Sequence, residues 1–189
     1  MRHQSKNCLK EKIILGIDPG TSIMGFGVLK AVGSKASMLD MGLIKMKKIT
    51  DPYLKLKEIF NQTTALIKKY APDELAIEAP FYGKNVQSML KLGRAQGVAI
   101  SAALQHDIPI FEYAPRKIKM AITGQGSASK EQVAGILMNI LDVTEPPEDY
   151  DATDALAAAL CHFYQKDIPG ASSYKGWGDF VKKNPKRKG

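Results

Sequence analysis

The chain has 189 residues, with 27 Lys and Arg against 19 Asp and Glu, and a formal net charge of +8. A chain of this length buries a hydrophobic core without disulfides or structural metals, and its two cysteines provide neither a disulfide framework nor a zinc-binding spacing. The apolar runs are too short to span a membrane, and the first residues lack the apolar stretch of a signal peptide. We therefore expect a cytoplasmic protein with no membrane partner.

The positive charge is concentrated at the two ends of the chain. Residues 1–12 hold four basic side chains and one acidic, and residues 174–189 hold six basic and one acidic. These two segments account for the whole excess, so the body of the chain is neutral. Within the body, a basic stretch over 84–130 precedes an acidic stretch over 142–154. Basic ends are commonly just solvated, so by themselves they are weak support for nucleic-acid binding.

The predicted elements begin with strands and then alternate. Apolar runs and turn residues predict three strands, then a helix and a strand twice over, and then three helices. The strands are predicted over 13–17, 25–32, 36–46, 75–77 and 108–113, and the helices over 52–70, 85–104, 115–122, 129–141 and 149–166. This order predicts an α/β fold with a mixed five-stranded sheet flanked by helices. We expect one domain over 13–167, with a basic extension over 1–12 and a basic tail over 168–189.

Small residues recur every fourth position along the helix predicted over 85–104. Gly93, Gly97 and Ser101 form a stripe that allows another backbone to approach closely. The sequence favours packing of this stripe on the sheet. Another face of the same helix is then a candidate for a two-fold interface.

Four acidic residues stand where apolar segments end or begin. Asp18 and Glu78 each follow a short apolar run, while Asp151 and Asp154 begin an Ala- and Leu-rich helix on one of its faces. Each acid alone has an ordinary structural explanation as a cap or turn residue. Together they mark positions where an unpaired carboxylate would be costly, and a bound metal or another cation removes that cost.

A cluster of this kind fits phosphodiester hydrolysis by two Mg²⁺ ions. Mg²⁺ prefers oxygen ligands, and two ions about 3.5–4 Å apart activate a water and stabilise the leaving oxygen. The histidines offer no competing catalytic triad. We expect His3 and His106 in solvent, and His162 as a hydrogen-bonded residue of the core.

Six sequence blocks carry a family resemblance. They are ILGIDPGT with GFGV (14–21, 25–28), AIEAPFYGKN (76–85), LGRAQGVA (92–99), EYAP (112–115), GQGSASK (124–130) and DATDALA (151–157). In this order the blocks resemble the RuvC family of Holliday-junction resolvases, which have the RNase H-like fold. An apolar strand ending in Asp-Pro-Gly also occurs in actin-like ATPases, but the six blocks together are specific.

The resemblance implies a homodimeric, Mg²⁺-dependent endonuclease. It would resolve four-way DNA junctions by paired symmetric nicks in homologous recombination and DNA repair, with two Mg²⁺ ions in each active site and Mn²⁺ as an alternative ion. Its partners would be junction DNA, a second copy of the chain and a branch-migration helicase complex.

The resemblance also implies roles for individual residues. Phe81 would stack on a base near the junction point. Lys119 and Lys130 would approach the phosphates of the cleaved strand, and Lys84 would be a further DNA contact. The catalytic, metal-binding acids would be Asp18, Glu78, Asp151 and Asp154.

Three other functions compete with this interpretation. An actin-like ATPase shares the first strand and its turn, but it needs a second domain and a second phosphate loop for which 189 residues leave no room. A basic architectural DNA-binding protein would use the four acids only as caps. An RNase H-like nuclease acting on RNA–DNA hybrids would share the acids but lack the blocks around Phe81 and Lys130.

Overall fold

The computed structural model describes residues 11–80, 85–143 and 150–166. The predicted order of strands and helices is confirmed throughout this part of the chain. The elements are β1 (Glu11–Asp18), β2 (Ile23–Val32), β3 (Lys35–Lys45), α1 (Pro52–Tyr70), β4 (Glu74–Glu78), α2 (Val86–Leu104), β5 (Ile110–Tyr113), α3 (Pro115–Thr123), α4 (Lys130–Ile140) and α5 (Tyr150–Lys166). None of these helices has an apolar stretch that would cross a bilayer.

The five strands form one mixed sheet in the order β3-β2-β1-β4-β5. The three N-terminal strands form an antiparallel meander, whereas β4 pairs parallel to β1 and β5 pairs parallel to β4. Ile17 lies opposite Ile77 in the β1–β4 ladder. The last residues of these two strands, Asp18 and Glu78, therefore emerge at the same end of the sheet.

Helices cover both faces of the sheet. Successive residues of a strand point to opposite faces, and β1 accordingly sends Ile14 into one core cluster and Leu15 into the other. The first cluster includes buried residues of α3, α4 and α5, and the second includes buried residues of α1 and α2. The predicted α/β architecture is thus confirmed, and α5 lies on the face opposite α1 and α2.

Side-chain caps fix the starts of two helices. The Asp51 carboxylate accepts hydrogen bonds from the backbone N–H groups of Tyr53 and Leu54, at 2.7 and 2.9 Å, and Pro52 occupies the first turn of α1. Ser129 and Gln132 form a reciprocal capping box at the start of α4. This capping box makes Lys130 the first residue of α4.

The small-residue stripe of α2 does not pack on the sheet, contrary to the expectation from sequence. A Cβ atom built on Gly93 or Gly97 would meet no other atom within 4 Å. The residues of α2 that pack inward lie on the other side of the helix and include Ala95, Ala99 and Ala103. The stripe is therefore on the exposed face of α2, because burial follows the alanine line instead.

Candidate active site

Two neighbouring strands deliver the first two acids. Asp18 ends β1 and Glu78 ends β4, one residue beyond the paired Ile17 and Ile77. The backbone of both strands is held in the middle of the sheet, so the carboxylates stand on a rigid edge. The sequence predicts the four acids as one group, and these two lie at the same end of the sheet because their strands are parallel neighbours.

The first turns of α5 supply the other two acids. Carboxylate oxygens of Asp18, Asp151 and Asp154 lie within 4.8 Å of one another, which is close enough for a shared metal ion. All three residues are half-buried. Among the described residues, Glu78 stands outside this close group of three, but its charge acts on Asp18.

Glycines in the sheet allow α5 to come this close. A Cβ on Gly16 would lie 2.0 Å from the backbone oxygen of Ala155, and a Cβ on Gly25 would lie 2.0 Å from that of Asp151. No real side chain tolerates such contacts, so α5 packs backbone to backbone against β1 and β2. The motif glycines thereby set the distance between the strand acid and the helix acids.

Burial and mutual repulsion perturb the acids strongly. Burial, together with the negative charges of Glu78 and Asp154, raises the pKa of Asp18 to about 8, while the positive charge of Lys130 opposes the shift. Burial and the negative charge of Asp154 together raise the pKa of Glu78 to about 7. Without a bound cation, the site therefore holds protons at neutral pH that ordinary carboxyls would release.

Lys130 supplies a positive charge within the acidic cluster. Its Nζ atom lies 3.1 Å from a carboxylate oxygen of Asp151 and 2.5 Å from one of Asp154. Partial burial acts to lower the pKa of Lys130, but hydrogen bonds and the negative charges of these two aspartates raise it above its ordinary value. The lysine predicted to approach phosphate thus lies at the acids themselves.

Lys119 approaches the same site from α3. Its Nζ atom donates a hydrogen bond of 2.7 Å to the backbone oxygen of Ala128, and its positive charge lowers the pKa of Glu78. Phe81 and Lys84, the other two predicted DNA contacts, lie outside the described residues. The structure therefore places two of the four predicted DNA contacts beside the acids.

A cleft opens directly beside the acids. It has a volume of about 340 Å³ and is lined by Gly20, Thr21, Ser22, Ile23, Ser88, Lys91, Leu92 and Asp151. The β1–β2 turn forms one wall and the first turns of α2 form the other. Hydroxyls, one lysine and one carboxylate thus line a surface depression that leads to the site.

The donor set suits a hard divalent cation. Three carboxylates converge within 4.8 Å, a fourth acts electrostatically at the same place, and a lysine amine occupies a cation position among them. Mg²⁺ and Mn²⁺ favour carboxylate oxygens, and the raised pKa values show that the site favours added positive charge. The residues present therefore fit the metal that the sequence predicts.

Two features of the site were not predicted. The sequence does not single out Gly25 as the residue that allows the backbone of Asp151 to approach β2 closely. A glycine inside a strand is nevertheless a known sign of close backbone approach. It also does not indicate that Lys130 forms ion pairs with two of the acids. The capping residue Ser129 at the start of α4 is the local signal that places this lysine.

Comparisons with known proteins agree on one family. The family model described as crossover junction endodeoxyribonuclease RuvC matches residues 14–162. The chain is 60% identical over 182 residues to the crossover junction endodeoxyribonuclease RuvC of Bacteroides fragilis, covering 95% of this chain and 97% of that one. It is 57% identical to the one of Christiangramia forsetii, covering 98% of each chain.

The solved structures give the same result. The structure described as T. thermophilus RuvC in complex with Holliday junction substrate superposes with a TM-score of 0.75 and 32% identity, covering 82% of this chain and 95% of that one. A yeast mitochondrial Holliday junction resolvase superposes with a TM-score of 0.57 at 12% identity, covering 80% of this chain and 79% of that one, and supports the fold alone.

The mixed sheet and its carboxylate centre define an RNase H-like protein with an acidic site of the kind that nucleases use. The extent of the family match and the identity to its relatives make the assignment specific. The chain belongs to the RuvC family of crossover junction endodeoxyribonucleases. The predicted family, fold and class of enzyme are thereby confirmed.

Proposed function

We propose that the chain resolves four-way DNA junctions by two-metal-ion phosphodiester hydrolysis, in homologous recombination and DNA repair. The observation that carries the proposal is the convergence of Asp18, Asp151 and Asp154 within 4.8 Å at the end of the sheet, in a chain of this family. Two Mg²⁺ ions, for which Mn²⁺ is an alternative, would supply an activated water and a stabilised leaving oxygen when bound. The ligands we propose are Asp18, Glu78, Asp151 and Asp154.

The proposed role of each residue depends on the element that carries it. The strand acids Asp18 and Glu78 are fixed by the sheet, and the helix acids Asp151 and Asp154 are fixed by the close approach of α5. Lys130 offsets part of the negative charge of the helix acids in the metal-free protein. When metal and phosphate are bound, we propose that the same amine turns to a phosphate oxygen of the cleaved strand, because metal takes over its role at the acids.

The cleft beside Asp151 suits the backbone of the cleaved strand. Lys91 and the hydroxyls of Thr21, Ser22 and Ser88 line it, and these groups are common partners of DNA phosphates. Lys119 stands on α3 near Glu78. In this proposal Phe81 stacks on a base at the junction point and Lys84 contacts the backbone, as their positions in the family blocks imply.

We also propose that the chain acts as a homodimer through the exposed face of α2. Val86, Leu90 and Leu104 are 63%, 59% and 59% exposed, and the open stripe of Gly93 and Gly97 lies between them along the helix. Glycines of this kind permit close approach of two helices, while the leucines and valine supply apolar area. A two-fold axis here matches the near two-fold symmetry of a four-way junction and would present two sites for two coordinated cuts.

The proposed nuclease domain over 13–167 contains the residues that the family model matches, 14–162. The basic segments over 1–12 and 168–189 would add nonspecific DNA affinity through their charge. We also propose a cytoplasmic location and a branch-migration helicase complex as partner, as the family resemblance implies.

Selectivity for junctions is tested with two substrates of the same sequence. The purified chain is incubated with Mg²⁺ and either a synthetic four-way junction or a linear duplex. We expect nicks at symmetric positions in two opposed strands of the junction, with the duplex intact. Equal cleavage of both substrates would contradict junction resolution and would favour a general nuclease. Cleavage of an RNA–DNA hybrid in preference to the junction would favour the other RNase H-like function.

A further inference from the structure

A buried chain of hydrogen bonds lies at the end of α5 that is remote from the acids. The Tyr113 hydroxyl lies 2.6 Å from Nδ1 of His162, and Nε2 of His162 lies 2.8 Å from a carboxylate oxygen of Glu74. Lys12 forms an ion pair with the other oxygen of Glu74. His162, Tyr113 and Glu74 are 1%, 6% and 8% exposed, so the chain of polar groups is inside the protein.

The chemistry of these groups fixes the direction of each hydrogen bond. The Glu74 carboxylate, paired with Lys12, is an acceptor, so Nε2 of His162 donates to it. In the neutral imidazole, Nδ1 accepts from the Tyr113 hydroxyl, which keeps its proton because burial raises its pKa to about 12. Both ring nitrogens are satisfied, and the ring of Phe111 stacks on the imidazole with 4.2 Å between centroids. His162 is therefore held in one orientation.

The hydrogen-bonded group of Lys12, Glu74, Tyr113 and His162, called the anchor below, connects α5 to three strands of the sheet. His162 belongs to α5, Glu74 begins β4, Tyr113 ends β5 and Lys12 lies near the start of β1. β4 also carries Glu78, and β1 carries Asp18. The same elements thus meet twice, once at the acids and once at the anchor.

The line of α5 that faces β1 offers little to fix the helix along its own axis, whereas Leu156 and Leu160 on another side of α5 are buried in the core. Positions 151, 155, 159 and 162 follow one line of α5, since residues four and eleven apart lie on nearly the same side of a helix. Ala155 and Ala159 on this line face Gly16, where backbone meets backbone and no large side chain interlocks. A smooth contact of this kind resists separation but resists sliding weakly. Hydrogen bonds weaken steeply outside a narrow range of distance and angle, so the anchor resists sliding.

We propose that His162, held between Glu74 and Tyr113, is a positioning residue that sets the axial position of α5 and so places Asp151 and Asp154 opposite Asp18 and Glu78. The inference rests on the proposed metal site. Movement of α5 by about 1 Å would break both hydrogen bonds of His162 and would carry both helix acids away from the strand acids. Misplacement of this size costs up to about 100-fold in rate even when its origin is remote from the reacting atoms.

The test uses variants that separate positioning from stability. Glu74→Leu/His162→Leu replaces both members of the buried pair with apolar groups, so neither is left unsatisfied, while Tyr113 and Lys12 each lose one partner. Tyr113→Phe removes one hydrogen bond and keeps the ring. His162→Gln is the conservative variant, since its amide both donates and accepts. The measurements are the thermal midpoint, junction affinity in EDTA, the single-turnover cleavage rate, and the Mg²⁺ concentration for half-maximal rate.

For the double variant we expect a junction affinity equal to that of the wild type, a cleavage rate lower by roughly 10- to 100-fold, and a several-fold higher Mg²⁺ requirement. Tyr113→Phe should show the same changes to a smaller degree, and His162→Gln should recover part of the rate. A double variant or Tyr113→Phe variant that cleaves at the wild-type rate with the wild-type Mg²⁺ requirement would overturn the inference. The inference would also be overturned if the cleavage rate fell only in proportion to a loss of junction affinity.

A further measurement separates this inference from the proposed function. Mg²⁺ is added to each protein without DNA, and the rise in thermal midpoint is recorded. Absence of a rise in the wild type would count against the metal site itself. A rise in the wild type that is retained unchanged in both Tyr113→Phe and the double variant would count against the positioning role alone. If the double variant does not fold, Tyr113→Phe decides the outcome.

Discussion

Gly25 lies directly beneath the backbone carbonyl of Asp151. A Cβ on Gly25 would lie 2.0 Å from that oxygen and 2.8 Å from the carbonyl carbon. Gly25 is also the residue opposite Asp18 in the β1–β2 ladder. The strand acid and the helix acid therefore come together across a position that has no side chain.

Gly25→Ala should lower metal-dependent cleavage. The added methyl group has backbone as its neighbour, so α5 must shift, at a stability cost of about 1–3 kcal/mol. We expect a cleavage rate lower by at least about 10-fold and a higher Mg²⁺ requirement. The matched control is Gly135→Ala on α4, where a Cβ meets nothing within 4 Å, and its stability should equal or exceed that of the wild type. Wild-type cleavage by Gly25→Ala would contradict this account of how Asp151 is placed.

The acids and their neighbourhood were predictable to different degrees. The strand acids could be predicted because each ends an apolar run, and the helix acids because their spacing places them on one face. The mixed five-stranded sheet could be predicted because three closely spaced strands precede alternating helices and strands. The ion pairs of Lys130 and the anchor at His162 depend on residues far apart in sequence, such as Glu74 and His162, so no local pattern reveals them. The sequence does not show that the Gly93 and Gly97 stripe is exposed, because small residues lie on both sides of α2 and the alanines are the ones that pack inward.

The raised pKa values predict how metal-free stability depends on pH. Asp18 and Glu78 have folded pKa values of about 8 and about 7, above those of free carboxyls, so between about pH 4 and pH 8 the folded chain binds more protons than the unfolded chain. Stability in EDTA therefore falls as the pH rises through this window. Asp18→Asn removes the buried charge, and at pH 8 in EDTA it should melt above the wild type by roughly 4 °C or more.

The difference in melting midpoint between Asp18→Asn and the wild type in EDTA should become smaller as the pH falls toward 4, because the Asp18 carboxyl is then protonated in the folded chain. Added Mg²⁺ should raise the midpoint of the wild type more than that of Asp18→Asn, because the variant lacks one ligand. Thermal melts at four or five pH values check both statements. Equal midpoints of the two proteins in EDTA at pH 8 would contradict the raised pKa of Asp18.

Lys130→Met should lower the thermal stability of the metal-free protein, because the acids then repel one another without a nearby positive charge. The raised pKa of Lys130 means that its stabilising charge is fully present below the unfolded value of about 10.5, so at pH 8 the wild type has the whole effect. The variant should melt lower than the wild type in EDTA at pH 8 and show a larger rise on addition of Mg²⁺. Lys57→Met, at an exposed lysine in the interior of α1, is the control and should change neither value. Identical Mg²⁺ responses of the wild type and Lys130→Met would contradict the role of the ion pairs.

Leu90→Glu should separate the proposed dimer. Leu90 is 59% exposed on the α2 face, and a carboxylate there would meet its own copy across a two-fold axis. Sedimentation velocity should report a dimer for the wild type and a monomer for the variant, with paired nicking replaced by single nicks. Leu54→Glu, at a leucine of α1 that is 56% exposed, should remain dimeric. A dimer that survives Leu90→Glu would place the interface elsewhere.

The central claim is that the four acids form the metal site at which a DNA junction is cut. Its most direct measurement is single-turnover cleavage of a four-way junction in Mg²⁺ by Asp18→Asn, at protein concentrations where the junction is fully bound. The control is Asp142→Asn, which removes an exposed carboxylate outside the cluster at a left-handed backbone position that Asn also adopts. We predict that Asp18→Asn binds the junction as tightly as the wild type and cleaves it at least about 100-fold more slowly, while Asp142→Asn cleaves normally. Cleavage by Asp18→Asn at the rate of Asp142→Asn would contradict the claim.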